Sequence, residues 1–417
     1  MSQKPISRSA DLTRLRNEGY DLEIRSDHLL VKDVPYVAAG RIVKRGTLVM
    51  TLKLAGDVTM KPDDHVAHFM GEYPCRADGT EIEQIRNESA RRELGPGVAV
   101  DHRFSAKPMP SGAYENYYDK VTQYVTILSG YAQVIEPGVT AKTFRPVPAA
   151  EGEEETVFKY IDTASTRAEI GSVTAKLAAV KQVAIVGLGG TGSYVLDFVA
   201  KTPVGEIHLF DGDEFLQHNA FRSPGAPSLD ELVAKPKKAA YFKGIYDKMR
   251  NGIFVHETYV GPENVDELRE MNFVFMCLEG PAKKLIVEKL EEFGIAFIDV
   301  GMGVYLSEGS LGGILRATTS TPVQRDHVRK RISFSNDTDR NEYDVNIQIA
   351  DLNALNAALA VIKWKKLMGF YQDLDFEHHC TYSRASNLMV TQPWGVACAS
   401  VPYALVPAGM TRSPFCS

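Results

Sequence analysis

The chain has 417 residues, which is enough for two or three domains that each bury a hydrophobic core. With 44% apolar residues, 24% charged residues and a formal net charge of −6, it lacks the basic excess of a nucleic-acid-binding protein. Because no apolar run approaches the ~20 residues of a membrane span, and the N-terminus lacks the apolar core of a signal peptide, we expect a cytoplasmic protein that does not insert into a membrane.

The first part of the chain, residues 1–144, has the pattern of a small α+β domain. A short helix is predicted over residues 11–18, and β-branched and aliphatic residues predict strands over Leu22–Val31 and Thr47–Leu54. Apolar residues at helical spacing predict an amphipathic helix over Asn116–Leu128 that packs on these strands.

The second predicted domain, residues 157–417, follows a segment at 145–156 whose proline, alanine and acidic residues are typical of a solvated linker. Strands and helices alternate here, which predicts an α/β fold with a Rossmann-like, mostly parallel sheet covered on both faces. The tail over 372–417 has no clear periodicity. The predicted strands are Gln182–Val186, Glu206–Phe210, Phe254–Tyr259, Phe273–Cys277 and Ala296–Val300, and the predicted helices are Thr166–Val180, Gly192–Ala200, 235–250, 281–292 and Asn346–Met368.

A glycine-rich loop directly follows the first strand of this domain. Gly187, Gly189 and Gly192 form a Gly-x-Gly-x-x-Gly motif, and Gly190 adds a further glycine. Without a Cβ atom the backbone can turn tightly and approach a nucleotide, while the start of the following helix favours phosphate. The motif by itself is weak evidence, and its first interpretation is NAD or FAD binding.

The residues after the second strand favour ATP instead. Asp211 and Asp213 form an Asp-x-Asp pair, and Asn219 and Arg222 follow eight and eleven residues after Asp211. An amide and a guanidinium at these positions can hold triphosphate oxygens, the guanidinium with two N–H groups at once. Lys237, at the start of a predicted helix, offers a second cation for the β and γ phosphates.

Over roughly residues 165–318, the chain resembles the ThiF/MoeB/ubiquitin-activating-enzyme superfamily in four motifs taken together. These are the glycine loop, Asp-x-Asp, Asn-x-x-Arg and the Pro-Lys pair that ends at Lys237. The resemblance implies that Asp211 holds the ribose of ATP. It also implies that Asn219, Arg222 and Lys237 hold the phosphates while a carboxylate attacks the α-phosphorus.

Two further positions are implied by the resemblance alone. Glu279 stands two residues after Cys277, where the family usually has an aspartate that holds Mg²⁺; the longer glutamate is a departure from that pattern. Arg167 lies on the helix before the first strand, where relatives carry an arginine that reaches into the partner subunit of a homodimer. An ordinary surface position is the equal alternative for Arg167.

The five cysteines are odd in number and contain no Cys-x-x-Cys pair, so neither a disulfide framework nor a structural zinc site is expected. Cys277 lies in an apolar strand and is expected in the core. Cys380 follows His378 and His379, whose imidazoles could lower its thiol pKa, so it is the candidate nucleophile. A cysteine without such a role is the more common outcome, and Cys75 is the next candidate.

These features predict an enzyme that uses ATP and Mg²⁺ to adenylate the C-terminal glycine of a ubiquitin-like or sulfur-carrier protein. A later transfer to a cysteine thiol, and a conjugating enzyme as a further partner, would suit a bacterial ubiquitin-like conjugation system. The N-terminal domain is then a candidate binding domain for the carrier or partner. Three alternatives stay open: an enzyme that adenylates a peptide or small carboxylic acid, an NAD-dependent oxidoreductase, and a catalytically inactive nucleotide-binding scaffold.

Overall fold

A computed structural model describes residues 4–149, 156–334 and 347–392. It divides into two compact units, one formed by Met1–Thr156 with Tyr160–Ile170 and the other by Val157–Lys159 with Gly171–Ser417. Half of the predicted linker, residues 150–155, lies outside the described residues, as do Cys398 and Cys416.

The N-terminal unit is built on an antiparallel sheet with the strand order β1-β2-β3-β6-β8-β7. The long helix α3 packs on β2, and Asn116 caps its first turn by accepting a hydrogen bond from the Asp119 N–H group. The elements are α1 Lys4–Arg8, α2 Ala10–Asn17, β1 Leu22–Arg25, β2 His28–Ala38, β3 Ile42–Thr51, β4 Leu54–Ala55, β5 Val58–Thr59, β6 Val66–Met70, β7 Arg86–Gly95, β8 Val98–Ser105, α3 Tyr117–Ile135 and α4 Thr163–Arg167. The predicted smaller α+β domain is confirmed.

The second unit contains a sheet in the order β11-β10-β9-β12-β13-β14-β15-β16. The strands from β11 to β13 are parallel, and the pairs from β13 to β16 are antiparallel. The elements are α5 Gly171–Ala178, β9 Gln182–Val186, α6 Gly190–Ala200, β10 Glu206–Phe210, α7 Gln217–Ala220, α8 Leu229–Ala234, α9 Lys238–Tyr246, β11 Ile253–His256, β12 Phe273–Met276, α10 Ala282–Glu292, β13 Ala296–Ser307, β14 Ser310–Ser320, α11 Val328–Arg331, α12 Ala350–Leu367, β15 His379–Ser383 and β16 Leu388–Gln392. The predicted mostly parallel α/β sheet is confirmed.

The strand order places the glycine loop at the point where the connections reverse direction. From β9 the chain moves outward through β10 to β11, and then returns to the other side of β9 with β12 and β13. Ligands of open α/β sheets bind in the crevice at such a reversal, outside the carboxyl ends of the strands. Side chains that follow β9, β10 and β12 are thereby brought together.

The predicted continuous helix over Thr166–Val180 is wrong. Helix α4 ends at Arg167, Glu169 has a φ of +57°, and α5 begins only at Gly171. A positive φ at a non-glycine residue interrupts the helical path. The side chain of Arg167 is exposed.

Within the described ranges, the helices are all too short or too polar to cross a membrane.

Candidate functional site

The glycine loop is a tight turn between β9 and α6. Gly187 has a φ of +90°, and a Cβ atom there would lie 2.7 Å from the carbonyl oxygen of Cys277. At Gly192 a Cβ atom would lie 1.9 Å from the carbonyl oxygen of Gly187, so both glycines are required by the turn itself. Gly189 is different, because the space beside its Cα atom is open to 4 Å. Its missing side chain leaves room beside the start of α6 for a ligand.

A buried asparagine of α12 holds this loop in place. Asn353 accepts a hydrogen bond from the Thr191 hydroxyl at 3.0 Å and donates one from Nδ2 to the carbonyl oxygen of Arg222 at 3.1 Å. A Cβ atom at Gly190 would lie 1.9 Å from Asn353 Nδ2, so the additional glycine is explained by this packing. Asn353 was not predicted from the sequence, because it lies on a helix far along the chain.

The loop forms one wall of a cleft of about 260 Å³ in the second unit. Lys238, Tyr259 and Asn356 also line it and were not predicted. Gly192, Asn219, Lys237 and Cys380 were predicted as site residues but do not line the cleft. The predicted residues that line it are Gly187, Gly189, Gly190, Asp211, Asp213, Arg222 and Glu279.

Asp211 is a buried carboxylate tied to the backbone at the end of β10. Its Oδ2 accepts from the Leu188 N–H group at 2.6 Å, and its Oδ1 accepts from the Asp213 N–H group at 2.9 Å. Burial raises the pKa of Asp211. These two bonds of Asp211 therefore connect the glycine loop to the Asp-x-Asp segment after β10.

Asp213 lies closer to the surface of the cleft. Its carboxylate accepts hydrogen bonds from Lys238 Nζ at 2.6 Å and from the Tyr259 hydroxyl. Partial burial acts to raise the pKa of Asp213, but the lysine and the tyrosine outweigh it and the pKa is lowered.

The lysine in the cleft is Lys238 and not the predicted Lys237. Lys237 donates its Nζ proton to the carbonyl oxygen of Gly212 at 2.7 Å, which directs its ammonium group to the backbone. Lys238 is buried, with Nζ 2.6 Å from Asp213 and 3.9 Å from Asp211. Both lysines stand at the predicted place in the chain, and the direction of each side chain decides which of them enters the cleft.

Asn219 does not line the cleft, and its hydrogen bonds have a structural role beside it. Its Oδ1 accepts from the Leu216 N–H group at 2.8 Å, and its carbonyl oxygen accepts from the Arg222 N–H group at 3.1 Å. These bonds close the short helix α7 and set the position of Arg222, whose side chain does line the cleft.

Glu279 lines the cleft and is paired with a lysine. Lys283 Nζ lies 3.0 Å from the Glu279 carboxylate and 3.1 Å from Asp299, and Asp299 also accepts from Arg316 at 2.7 Å. Lys283 and Asp299 are buried, whereas the Glu279 side chain is 40% exposed. The described residues contain no group of three or more His, Cys, Asp or Glu side chains that could hold a metal. A divalent ion here would share Glu279 with the phosphates of a nucleotide, which is how Mg²⁺ is ordinarily bound.

Cys380 lies on β15 opposite Ala317, away from the cleft lining. Burial raises the pKa of its thiol, and burial lowers the pKa of both His378 and His379 to about 4. The expectation that these imidazoles lower the thiol pKa is therefore wrong, because they are uncharged near neutral pH. Burial also raises the thiol pKa of Cys75 and of Cys277.

The fold and the cleft define a Rossmann-like nucleotide-binding domain of the adenylating type. Residues 164–376 match the ThiF family, and the chain belongs to that family. Residues 10–163 match a domain of unknown function, DUF6791.

Among solved structures, the chain is similar to those of MccB and PaaA. E. coli MccB with ATP is 18% identical, with 54% of this chain and 67% of MccB covered and a TM-score of 0.43. PaaA is 17% identical, with 53% of this chain and 75% of PaaA covered and a TM-score of 0.41. No curated protein matches the chain.

Proposed function

We propose that the chain adenylates the C-terminal glycine of a ubiquitin-like or sulfur-carrier protein with ATP. The observation that supports this most is the meeting of the glycine loop, Asp211, Arg222 and Glu279 in one cleft at the reversal point of the sheet. Membership of the ThiF family favours adenylation over the nicotinamide-dependent alternative.

In the proposed reaction, a carboxylate oxygen of the substrate attacks the α-phosphorus of ATP. The bond from that phosphorus to the bridging oxygen breaks, and pyrophosphate leaves with the negative charge. The N–H groups at the start of α6 and the Arg222 guanidinium stabilise this charge, and the open space beside Gly189 admits the phosphates. Asp211 accepts hydrogen bonds from the ribose hydroxyls.

Glu279 would hold Mg²⁺ together with the phosphates, and the ion would neutralise charge on them when bound. Lys283 keeps the glutamate carboxylate oriented at the cleft through their 3.0 Å contact. The Glu279 carboxylate contacts Lys283, which lies four residues later in the chain, and this contact accommodates the longer glutamate side chain.

The product that we propose is the acyl-adenylate. A thioester on Cys380 receives no support from the described residues, because its thiol is away from the cleft and has a raised pKa. A covalent adduct that forms with ATP and is lost in Cys380→Ser would overturn this part of the proposal.

We also propose that the chain forms a homodimer. The N-terminal unit would bind the carrier protein or another partner. The broken helix at Glu169 means that the dimer cannot use the continuous helix over Thr166–Val180.

The test is exchange of labelled pyrophosphate into ATP in the presence of Mg²⁺. We expect exchange with a carrier that ends in glycine and none with the same carrier lacking that glycine.

Arg222→Ala should lower the rate roughly 10²–10³-fold, as loss of one donor to developing charge does. Arg269→Ala, a change at an exposed arginine that does not line the cleft, is the control. Exchange with a short peptide alone would identify the peptide alternative, and nicotinamide reduction without exchange would overturn the proposal.

A further inference from the structure

A buried asparagine at one end of the cleft has an amide oxygen without a partner. Asn356 lies on α12, about one helical turn after Asn353, and both residues are fully buried. Asn356 Nδ2 donates to the carbonyl oxygen of Gly301 on β13 at 3.2 Å, whereas Oδ1 has no hydrogen-bond partner among the described residues. Asn356 lines the cleft, so its side chain is within reach of a ligand there.

The bond to Gly301 fixes which way the Asn356 amide faces. A backbone carbonyl oxygen can only accept, so the atom that contacts it is the amide nitrogen and not the amide oxygen. The reversed amide would place two acceptor oxygens against each other. Asn356 therefore presents an acceptor to the cleft. Because buried polar groups are almost always hydrogen-bonded, this acceptor is matched by an N–H or O–H group of a ligand.

The strand order indicates which part of a ligand lies near Asn356. Asp211, the proposed ribose contact, follows β10, on one side of the glycine loop after β9. Val300 and Met302 line the cleft from β13, on the other side of that loop, where α12 packs on β13. With the ribose on the first side and the phosphates at the loop, the β13 end is left for the substrate that brings the carboxylate.

The lining at this end fits a peptide backbone. Val300 and Met302 are two residues apart on β13, so they share a face and form an apolar floor. Gln348, just before α12, lines the cleft with a second buried amide oxygen that has no partner in the described part of the chain. Peptide N–H groups are neutral donors that repeat along a chain, so they match two amide acceptors beside an apolar floor.

We propose that Asn356 Oδ1 accepts the N–H group of the substrate's last peptide bond. The inference rests on the proposed adenylation and specifies what its substrate carries, namely a C-terminal residue whose nitrogen keeps a hydrogen. A peptide or protein has this group, whereas an isolated carboxylic acid and a chain that ends in proline do not. The bond orients the last residue and thereby directs its carboxylate.

The test uses stable analogues of the acyl-adenylate, in which a sulfamate replaces the phosphate, so no carrier protein is required. One analogue carries acetyl-glycylglycine on 5′-sulfamoyladenosine, and the other has an ester oxygen in place of the last peptide N–H group. Calorimetry measures the affinity of the unmutated full chain for each. We expect the amide to bind at least about tenfold more tightly, because the ester leaves a buried acceptor unpaired.

Asn356→Leu should remove this difference, since leucine has a similar volume and accepts no hydrogen bond. The affinity of this variant for 5′-sulfamoyladenosine without an acyl group should be that of the wild type, because the nucleoside binds at the other end of the cleft. Asn251→Leu, at an exposed asparagine that does not line the cleft, is the matched control and should keep the full difference.

Equal affinities of the unmutated chain for the two analogues would overturn this inference without the need for any variant to fold. A difference that persists in Asn356→Leu would also overturn it. Both results would leave the proposed adenylation standing. A chain that binds neither ATP nor 5′-sulfamoyladenosine would instead overturn the proposed function, and this inference with it, so the two failures are distinguishable.

Discussion

At the scale of single residues, Lys237 and Lys238 have different environments although they are adjacent. Successive side chains at the start of a helix point about 100° apart, so the cleft receives only one of them. Lys238 meets Asp213, and Lys237 meets the Gly212 carbonyl oxygen. The motif order identifies a lysine for the phosphates, but it does not distinguish between these two.

Lys238→Gln should lower ATP–pyrophosphate exchange roughly 10²–10³-fold, because it removes a fixed positive charge from the cleft. Lys237→Gln should lower it much less, since that ammonium binds the backbone. Exchange rates and ATP affinity are measured for both variants, with thermal unfolding to verify folding. A larger loss in Lys237→Gln would assign the phosphate contact to that lysine.

At the scale of elements, local sequence predicted the strands that carry the glycine loop and Asp211. β9 and β10 end at the predicted residues, because their apolar runs stop abruptly at Gly187 and Asp211. Contacts between distant elements were not predictable in this way. Asn353 explains Gly190 only after α12 is placed over the loop, and the strands β15 and β16 have no alternating pattern to reveal them.

Helix α10 and strand β13 are joined by a buried ion cluster, which gives a stability prediction. Lys283→Met should lower the free energy of unfolding by about 3–5 kcal/mol, because it leaves the buried Asp299 with Arg316 alone. Glu279→Gln should cost less than about 1 kcal/mol, because that carboxylate is partly exposed. Urea denaturation at pH 7 compares the two variants. Equal losses would mean that the exposed pair contributes as much as the buried one.

The attachment of β15 to β14 should depend on pH. His379 is buried beside Thr318, with Nδ1 3.0 Å from the hydroxyl oxygen, and burial lowers its pKa from 6.5 to about 4. Between these values the unfolded chain binds the extra proton more readily, so stability falls as pH falls from about 6.5 to 4. The loss from this group is at most about 3 kcal/mol.

The measurement is urea denaturation of the wild type and of His379→Asn at several pH values. The stability difference between the two proteins should shrink on going from pH 7 to pH 4. A difference that stays constant over this range would show that the histidine is not held neutral by the fold.

At the scale of the whole molecule, the antiparallel end of the large sheet exposes apolar side chains on one face. Ile314 and Leu388 both pair with Ser383, and Val390 lies two residues further along the same strand as Leu388. Directly paired residues share a face, as do residues two apart on a strand. These side chains are 51%, 54% and 49% exposed, respectively. Contiguous exposed apolar residues of this kind mark interaction surfaces.

We expect this face to be covered by a second copy of the chain, in keeping with the proposed homodimer. An isologous interface places the same patch on both subunits, so one substitution acts twice. Ile314→Asp and Val390→Asp should shift sedimentation equilibrium from dimer to monomer at micromolar concentration, because each introduces two charges into an apolar contact. Leu229→Asp, at a side chain 76% exposed on α8, should leave the dimer intact. A wild-type monomer would contradict the dimer, whereas a dimer that survives both substitutions would place the contact on another face.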